Sequence, residues 1–201
     1  MGKIESLLYL SHHCANEMAG DKNFSDVNKH VLPPPLYIPE FEITEDFGLR
    51  QKNHIVFLGN LLQHKNVLQL LEAIKHLKEY NLTIIGSGKL ESDISDYIEE
   101  NDLHQRVKLA GFLTDRLITE VFLSADIFCA PSTYEPFGLV YIEALAHGLP
   151  VIGYGPSINE IEDHMGILCG YQLENYDANS IKTALIETSK LKWDRRLLHD
   201  Y

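Results

Sequence analysis

Two glutamates, Glu135 and Glu143, are separated by seven residues and frame a short turn that contains Gly138. The apolar run before the turn is typical of a buried strand, and the run after it is typical of a helix. The first N–H groups of a helix have no partner within it, and the helix dipole favours an anion such as phosphate at that end. Gly138 lets a ligand approach the backbone closely. The pattern therefore predicts a phosphate-bearing ligand at this turn, flanked by two carboxylates.

The two carboxylates suit the sugars of a nucleotide sugar. A carboxylate among apolar neighbours needs hydrogen-bond partners, and the vicinal diol of a ribose supplies two hydroxyl donors. Glu143 is therefore predicted to hold a ribose, and Glu135 to accept hydrogen bonds from the hydroxyls of a donor sugar. The simpler alternative makes Glu135 a helix-start acid and places Glu143 on a solvated face. Because both acids bracket a glycine-bearing strand-to-helix turn, the ligand-binding interpretation is favoured.

Composition restricts the partners of the chain. Its 201 residues carry a formal net charge of −12, which argues against nucleic acid and against a polybasic membrane anchor. Cys14, Cys129 and Cys169 are widely spaced and favour a reducing cytoplasm. We expect a cytoplasmic protein without a secretory signal or a membrane-spanning helix. No metal is expected, because the sequence has no Asp-x-Asp pair and no cluster of histidines and acids with metal spacing.

Apolar strand-like runs alternate with amphipathic helical patterns from residue 54 onward. Strands are predicted at 55–58, 82–85, 107–109, 127–130, 150–153 and 167–168. Helices are predicted at 67–77 after a capping Asn66, at 89–100, around 115–122, at 138–147 and at 178–191, with one short helical turn at 158–163. This alternation indicates an α/β fold with a doubly wound, Rossmann-like parallel sheet covered on both faces. Ligands of such sheets bind beyond the carboxyl ends of the strands.

The first fifty residues differ from the rest. Residues 7–10 are predicted to form a short strand, and residues 12–19 a short helix. Three consecutive prolines, Pro33–Pro35, cannot continue a helix or a central strand and predict an extended connector. We interpret residues 1–50 as the remnant of a preceding domain plus a proline-rich linker, and residues 51–201 as the nucleotide-sugar donor-binding domain.

Residues from about 54 to 187 resemble the C-terminal, donor-binding half of retaining GT-B glycosyltransferases of the glycosyl transferases group 1, or family four, type. The motifs that match, in the same order, are Asn66–Lys78, Ile84–Gly88, Val107–Phe112, Phe137–Val140, Glu143–Ile152 and the paired glutamates. The resemblance implies one half of a GT-B fold with a short N-terminal appendage. It also implies an enzyme that moves a sugar from a nucleotide diphosphate sugar to an acceptor hydroxyl and retains the anomeric configuration.

The resemblance assigns roles to the site residues position by position. Glu135 and Lys65 are the catalytic candidates: the glutamate matches the one that meets the transferred sugar, and the lysine matches one that neutralises the diphosphate. Glu143 matches the glutamate that holds the ribose hydroxyls. The remaining donor-binding candidates are Gly59, Asn60, Gly86, Gly88, Gly111, Phe112, Leu113, Phe137, Gly138, Leu139 and Val140. Residues 138–140 would contact the diphosphate or the sugar, residues 111–113 the base, and residues 86–88 the nucleotide.

The sequence departs from the family pattern at three places. Asn60 stands where the family usually has an arginine, which is a second cation for the diphosphate, and Asn66 stands where it usually has a glycine. The loop at 153–160 is about one residue shorter than usual, so the identity of the donor sugar is not implied. Glu160 matches a common family acid, and capping of the short helix at 158–163 is an equal alternative.

The N-terminal, acceptor-binding domain of the family is represented at most by residues 7–32, so the enzyme is expected to be incomplete without that domain. Two alternatives stay open: a non-catalytic nucleotide-sugar binding module that needs a partner half, and a GT-B sugar-nucleotide epimerase. No cofactor is implied, since GT-B enzymes neutralise the leaving diphosphate with side chains and helix dipoles. The resemblance leaves the base and the acceptor open. A lipid acceptor would place the protein peripherally at a membrane.

Overall fold

Strands and helices alternate through most of the chain. The computed structural model describes residues 6–17, 27–32, 35 and 51–200. The strands are β1 (Ser6–Tyr9), β2 (Asn28–Val31), β3 (His54–Leu58), β4 (Asn81–Ile85), β5 (Val107–Gly111), β6 (Ile127–Ala130), β7 (Val151–Tyr154) and β8 (Gly170–Leu173). The helices are α1 (His12–Glu17), α2 (Val67–Lys75), α3 (Glu91–Glu100), α4 (Asp115–Ser124), α5 (Leu139–Ala146), α6 (Gly155–Met165), α7 (Ala178–Lys190) and α8 (Arg195–His199).

Six of these strands form one parallel sheet in the order β5-β4-β3-β6-β7-β8. The chain enters the sheet at β3 in the middle and moves outward to β5. It then returns to β6 on the other side of β3 and moves outward again to β8. This doubly wound arrangement has its switch point between β3 and β6. The fold class predicted from the sequence is therefore confirmed.

The central strands are buried along their whole apolar runs. Ile55, Val56 and Phe57 of β3 have no exposed surface, and every residue of β6 is buried. Since consecutive strand residues point to opposite faces of the sheet, helices must cover both faces. Helix α2 packs against α3 and α7, and α5 packs against α8. This cover leaves the carboxyl ends of the strands to loops, which is where a ligand can reach the sheet.

The last strand lies later in the chain than the sequence predicts. It is Gly170–Leu173 rather than 167–168, and Leu168 is 72% exposed. A Cβ at Gly170 would lie 1.8 Å from the carbonyl oxygen of Val151, so only glycine permits the close pairing of β8 with β7. The strand was predicted at Ile167 and Leu168 because these two residues are apolar. In the structure, the strand forms where the backbones of β7 and β8 can approach closely.

Two helices also differ from the prediction. The short helical turn expected at 158–163 is an eleven-residue helix, α6, which begins at Gly155 and carries Pro156 in its first turn. Proline is favoured there because its missing N–H would have no partner within the helix in any case. Helix α8 was not predicted at all.

A second, two-stranded sheet pairs β1 with β2 in parallel, with Ser6 opposite Asn28. The short strand and helix predicted for this region are present, the helix being described as far as Glu17, while β2 was not predicted. Pro33 and Pro34 of the predicted connector lie outside the described residues. The division of the chain at residue 50 stays a prediction.

Within the described ranges, no helix combines the length and the apolar character needed to cross a bilayer. In the same ranges, no three histidine, cysteine, aspartate or glutamate side chains are grouped as they would be around a metal ion. The cytoplasmic location and the metal-free site stay predictions.

Candidate functional site

Two loops meet at the switch point of the sheet, one after β3 and one after β6. The first runs from Gly59 to Asn66, and the second from Pro131 to Gly138. The backbone N–H of Thr133 in the second loop donates a hydrogen bond of 2.9 Å to the carbonyl oxygen of His64 in the first. The two loops are therefore tied together where open α/β sheets bind their ligands.

Lys65 and Glu135, the two catalytic candidates, form an ion pair across these loops. The lysine Nζ lies 2.6 Å from Oε2 of the glutamate, and the two side chains are only 17% and 15% exposed. An ammonium group has three N–H donors, and a carboxylate has two acceptor oxygens. The pair therefore leaves donors on the lysine and one oxygen on the glutamate for a ligand. A ligand in which a phosphate adjoins a hydroxyl-bearing group matches both.

The backbone after Lys65 accounts for the asparagine at position 66. Asn66 has a φ of 53°, a left-handed conformation that asparagine tolerates better than most residues and that glycine adopts freely. Its side chain does not cap α2, contrary to the prediction. Instead, Nδ2 donates to the carbonyl oxygen of Pro131 at 2.9 Å. Asn66 therefore adds a third link between the loop after β3 and the loop after β6, besides the Thr133–His64 hydrogen bond and the Lys65–Glu135 ion pair.

Gly138 ends the second loop and precedes α5. Its φ of 79° is left-handed, and a Cβ there would lie 2.6 Å from Cδ2 of the fully buried Tyr141. Glycine is thus required at this position by both the backbone conformation and the packing. The first N–H groups of α5, those of Leu139 and Val140, have no partner within the helix. They form the positive end of α5, which begins four residues after Glu135 in the chain.

Tyr141 is a residue of the site that the sequence analysis did not single out. Its hydroxyl group donates to the carbonyl oxygen of Ala130 at 2.9 Å and accepts from the backbone N–H of Tyr154 at 2.9 Å. A Cβ at Gly153 would lie 2.2 Å from the same hydroxyl oxygen. Tyr141 therefore joins the ends of β6 and β7 around the turn. No sequence signal distinguishes it from an ordinary core aromatic residue.

Glu143 lies in the second turn of α5 and is half-buried. Burial raises the pKa of its carboxyl group, and the negative charge of Asp115 raises that pKa further. Among the described residues, none donates a hydrogen bond to this carboxylate. A half-buried carboxylate gains most from donors that a ligand brings, and two adjacent hydroxyl groups are such donors.

Backbone contacts join the loops that follow β3, β4 and β5. The N–H of Gly86 donates to the carbonyl oxygen of Gly111 at 2.8 Å. A Cβ at Gly86 would lie 2.0 Å from the carbonyl oxygen of Gly59, and a Cβ at Gly88 would lie 2.5 Å from that of Leu61. The approach of one loop to the next thus gives Gly86 and Gly88 a packing reason to be glycine. Their predicted place beside a nucleotide stays a prediction.

The other predicted positions lie in loops at the same edge of the sheet. Phe112, directly after β5, is 85% exposed, and Leu113 beside it is half-buried. Phe137 is half-buried in the turn before α5, and Asn60 is exposed after β3. An exposed aromatic ring is available to contact a flat ring such as a nucleobase. These four roles also stay predictions.

Comparison with known proteins gives one family and several relatives. The family described as glycosyl transferases group 1 matches residues 40–199. An alpha-monoglucosyldiacylglycerol synthase of Streptococcus pneumoniae is 29% identical over 184 residues, which make up 81% of this chain and 41% of that protein. A poly(glycerol-phosphate) alpha-glucosyltransferase of Bacillus subtilis is 31% identical over 168 residues, 82% of this chain and 23% of that protein.

Solved structures agree on the fold. A crystal structure of S. aureus TarM, in complex with fondaparinux, alpha-GlcNAc-glycerol and UDP, superposes with a TM-score of 0.74 at 20% identity. The match covers 96% of this chain and 38% of TarM. The chain therefore spans 23% to 41% of the length of these three relatives.

Proposed function

This chain belongs to the glycosyl transferases group 1 family, and we propose that it forms the donor-binding half of a retaining glycosyltransferase that uses a nucleotide diphosphate sugar. The Lys65–Glu135 ion pair is the observation that carries the proposal. It joins a phosphate-binding cation to a hydroxyl-binding carboxylate at the switch point of the sheet. A nucleotide diphosphate sugar has its diphosphate and its sugar hydroxyls adjacent in the same way.

The neighbouring groups supply the rest of a donor site. The N–H groups at the start of α5 are oriented for an anion, and the carboxylate of Glu143 has no donor from the described residues. Seven residues of helix and turn separate Glu143 from Glu135, so one carboxylate can meet the ribose while the other meets the transferred sugar. Phe112 is available for the base.

In the proposed reaction, the bond from the anomeric carbon to the diphosphate oxygen breaks, and an acceptor hydroxyl forms a bond to that carbon on the same face. Negative charge develops on the leaving diphosphate. Lys65 and the N–H groups at the start of α5 stabilise this charge, because they are fixed before the reaction and need no reorganisation. The free oxygen of Glu135 orients the sugar through its hydroxyls. The oxygen of the departing diphosphate accepts the proton that the acceptor hydroxyl loses.

The relatives support a sugar transfer of this kind. One is named as an alpha-monoglucosyldiacylglycerol synthase and one as an alpha-glucosyltransferase, and the solved TarM structure contains UDP. The names refer to a diacylglycerol in one case and to poly(glycerol phosphate) in the other. The proposed acceptor is a hydroxyl-bearing molecule of unspecified class, because the residues that carry the proposal contact the donor.

A second candidate function is a nucleotide-sugar binding module without transfer activity of its own. Asn60 favours this binding module, because an exposed amide stands where the family usually has an arginine. The diphosphate would therefore have one positively charged partner fewer. A donor site with a single lysine and a helix N-terminus still binds a diphosphate. The two candidates therefore share the site and differ only in turnover.

The charge of Lys65 gives a test of the donor site. Lys65→Met should weaken the binding of the cognate nucleoside diphosphate by about 10- to 100-fold, the loss expected for hydrogen bonds to a charged group. Binding of the free nucleoside should be unchanged, because it has no phosphate. Isothermal titration calorimetry on both ligands measures the difference.

The matched control is Lys75→Met, which removes the same charge from the exposed end of α2. It should leave both affinities unchanged. Equal diphosphate affinity in folded Lys65→Met and in the unaltered protein would place the diphosphate elsewhere and remove this assignment.

A further inference from the structure

Helix α1 and the residue before it form hydrogen bonds to α6 and to residues 135–138, which we call the donor turn. The carboxylate of Glu160, on α6, accepts the backbone N–H of His12 at 2.7 Å and that of His13 at 3.1 Å, one on each oxygen. The imidazole Nε2 of His13 also lies 3.1 Å from the hydroxyl oxygen of Tyr154. Glu160 therefore binds the start of α1 and does not cap its own helix.

The same short segment also contacts the turn between the catalytic candidate and Gly138. The hydroxyl group of Ser11, which is 1% exposed, donates to the carbonyl oxygen of Pro136 at 2.7 Å. The thiol of Cys14 donates to the same oxygen at 3.0 Å. These two donors fix the peptide carbonyl that directly follows Glu135.

Helix α6 holds the preceding carbonyl. The hydroxyl group of the buried Ser157 donates to the carbonyl oxygen of Glu135 at 2.7 Å. Ser157 and Glu160 are three residues apart and so lie on one face of α6. One face of one helix thus holds the donor turn directly through Ser157, and indirectly through Glu160, α1 and Ser11.

We propose that Glu160 is a positioning residue that ties α1 to the donor turn and thereby fixes the sugar-binding carboxylate of Glu135. This inference rests on the proposed function, because it assigns the sugar to Glu135. If α1 is released, the carbonyl of Pro136 loses both of its side-chain donors, and the turn samples more conformations. Binding of the sugar then has to restore the order that α1 supplied. The nucleotide is assigned to Lys65, Glu143 and the start of α5, none of which is a hydrogen-bond partner of α1 among the described residues, so its affinity should not depend on α1.

The two amides that Glu160 holds are direct reporters of this contact. In Glu160→Ala, hydrogen exchange at the backbone N–H groups of His12 and His13 should accelerate by about tenfold or more, since both lose a charged acceptor. Glu160→Gln should give a smaller acceleration, because its amide oxygen still accepts one N–H. Asp163→Ala removes a carboxylate from an exposed position of the same helix and should change neither rate. Equal exchange in Glu160→Ala and the unaltered protein would overturn the contact.

Ligand affinity tests the consequence for the sugar. We expect Glu160→Ala to bind the cognate nucleoside diphosphate as the unaltered protein does, and its sugar conjugate about three- to tenfold more weakly. Asp163→Ala should match the unaltered protein on both ligands, and Glu160→Gln should lie between. Equal affinity of Glu160→Ala for the conjugate, or an equal loss on both ligands, would overturn the positioning role. If the unaltered protein bound neither ligand, the proposed function itself would fail, and the exchange rates would still decide the contact.

Discussion

At Glu143, two effects act on the carboxyl group in the same direction. Burial disfavours the ionised form, and the negative charge of Asp115 at the start of α4 disfavours it further, so the pKa is raised. In the proposed site, ribose hydroxyls donate to the carboxylate of Glu143, so we expect nucleotide binding to require the ionised form. Affinity should therefore decline as the pH falls, and the decline should begin at a higher pH than an ordinary glutamate would give.

Asp115→Asn tests this pH dependence. The amide removes the neighbouring charge and lowers the pKa of Glu143, so the decline in nucleotide affinity should shift to lower pH. Titration calorimetry at pH values from about 4 to 8, the range in which carboxyl groups with a raised pKa titrate, measures nucleotide affinity as a function of pH. Glu120→Gln, on the same helix, removes a charge that is not among the causes of the raised pKa of Glu143, and it should leave the profile in place. An unchanged profile in Asp115→Asn would mean that another group controls binding.

The sequence named individual candidate residues for the site, but their contacts could not be predicted from it. The spacing of Glu135 and Glu143 around a glycine indicated a ligand site, and the family resemblance added Lys65. The ion pair joins residues 70 positions apart, and no local pattern encodes such a distance. Asn66 was assigned a capping role because its residue type is common there, whereas its side chain bonds across to Pro131. The residue type alone does not tell whether a side chain caps its own helix or forms a hydrogen bond to a distant part of the chain.

At the scale of elements, the regular strands and helices followed from hydrophobic periodicity, and the exceptions have physical causes. Helix α8 has five residues and too short a pattern for periodicity to detect. Its Arg195 is 8% exposed and anchors the helix by donating to the carbonyl oxygens of Gly148, Ala125 and His147. A buried arginine that serves backbone carbonyls is not expected from residue type alone.

Arg195→Ala should therefore be strongly destabilising. Three backbone carbonyls, two just after α5 and one just before β6, would lose a charged donor. This loss should lower the free energy of unfolding by about 2–4 kcal/mol. Urea denaturation followed by circular dichroism measures this loss. Arg196→Ala, on the exposed side of α8, should change the free energy of unfolding by less than about 0.5 kcal/mol. A similar small change in both variants would contradict the structural role given to Arg195.

At the scale of the whole molecule, the described residues form one six-stranded sheet and one parallel pair, β1 and β2. Leu8 and Leu32 at this pair are 69% and 61% exposed. A parallel pair with exposed leucines is poorly suited to stand alone, since parallel strands are normally buried on both faces. The pair is therefore poorly suited to form a core of its own, and the N-terminal, acceptor-binding domain implied by the family resemblance stays a prediction.

Supplying such a half should distinguish an enzyme from a binding module. With an N-terminal domain of a group 1 glycosyltransferase added in trans, we expect sugar transfer from the cognate donor, and nuclear magnetic resonance of the product should show the anomeric configuration of the donor. The same domain with the Glu135→Gln chain should give much less product. An inverted product would contradict retention, turnover without an acceptor would favour an epimerase, and binding without transfer would favour the module.

The most direct test of the donor site is a thermal-shift panel of the unaltered chain with UDP, GDP, ADP and their common sugar conjugates. A ligand at about one hundred times its dissociation constant should raise the free energy of unfolding by about 2.7 kcal/mol. We expect one nucleotide and its conjugates to stabilise the fold, and Glu143→Ala to lose most of that stabilisation. Absence of a shift with every nucleotide would contradict the assignment of this switch point as a nucleotide-sugar site.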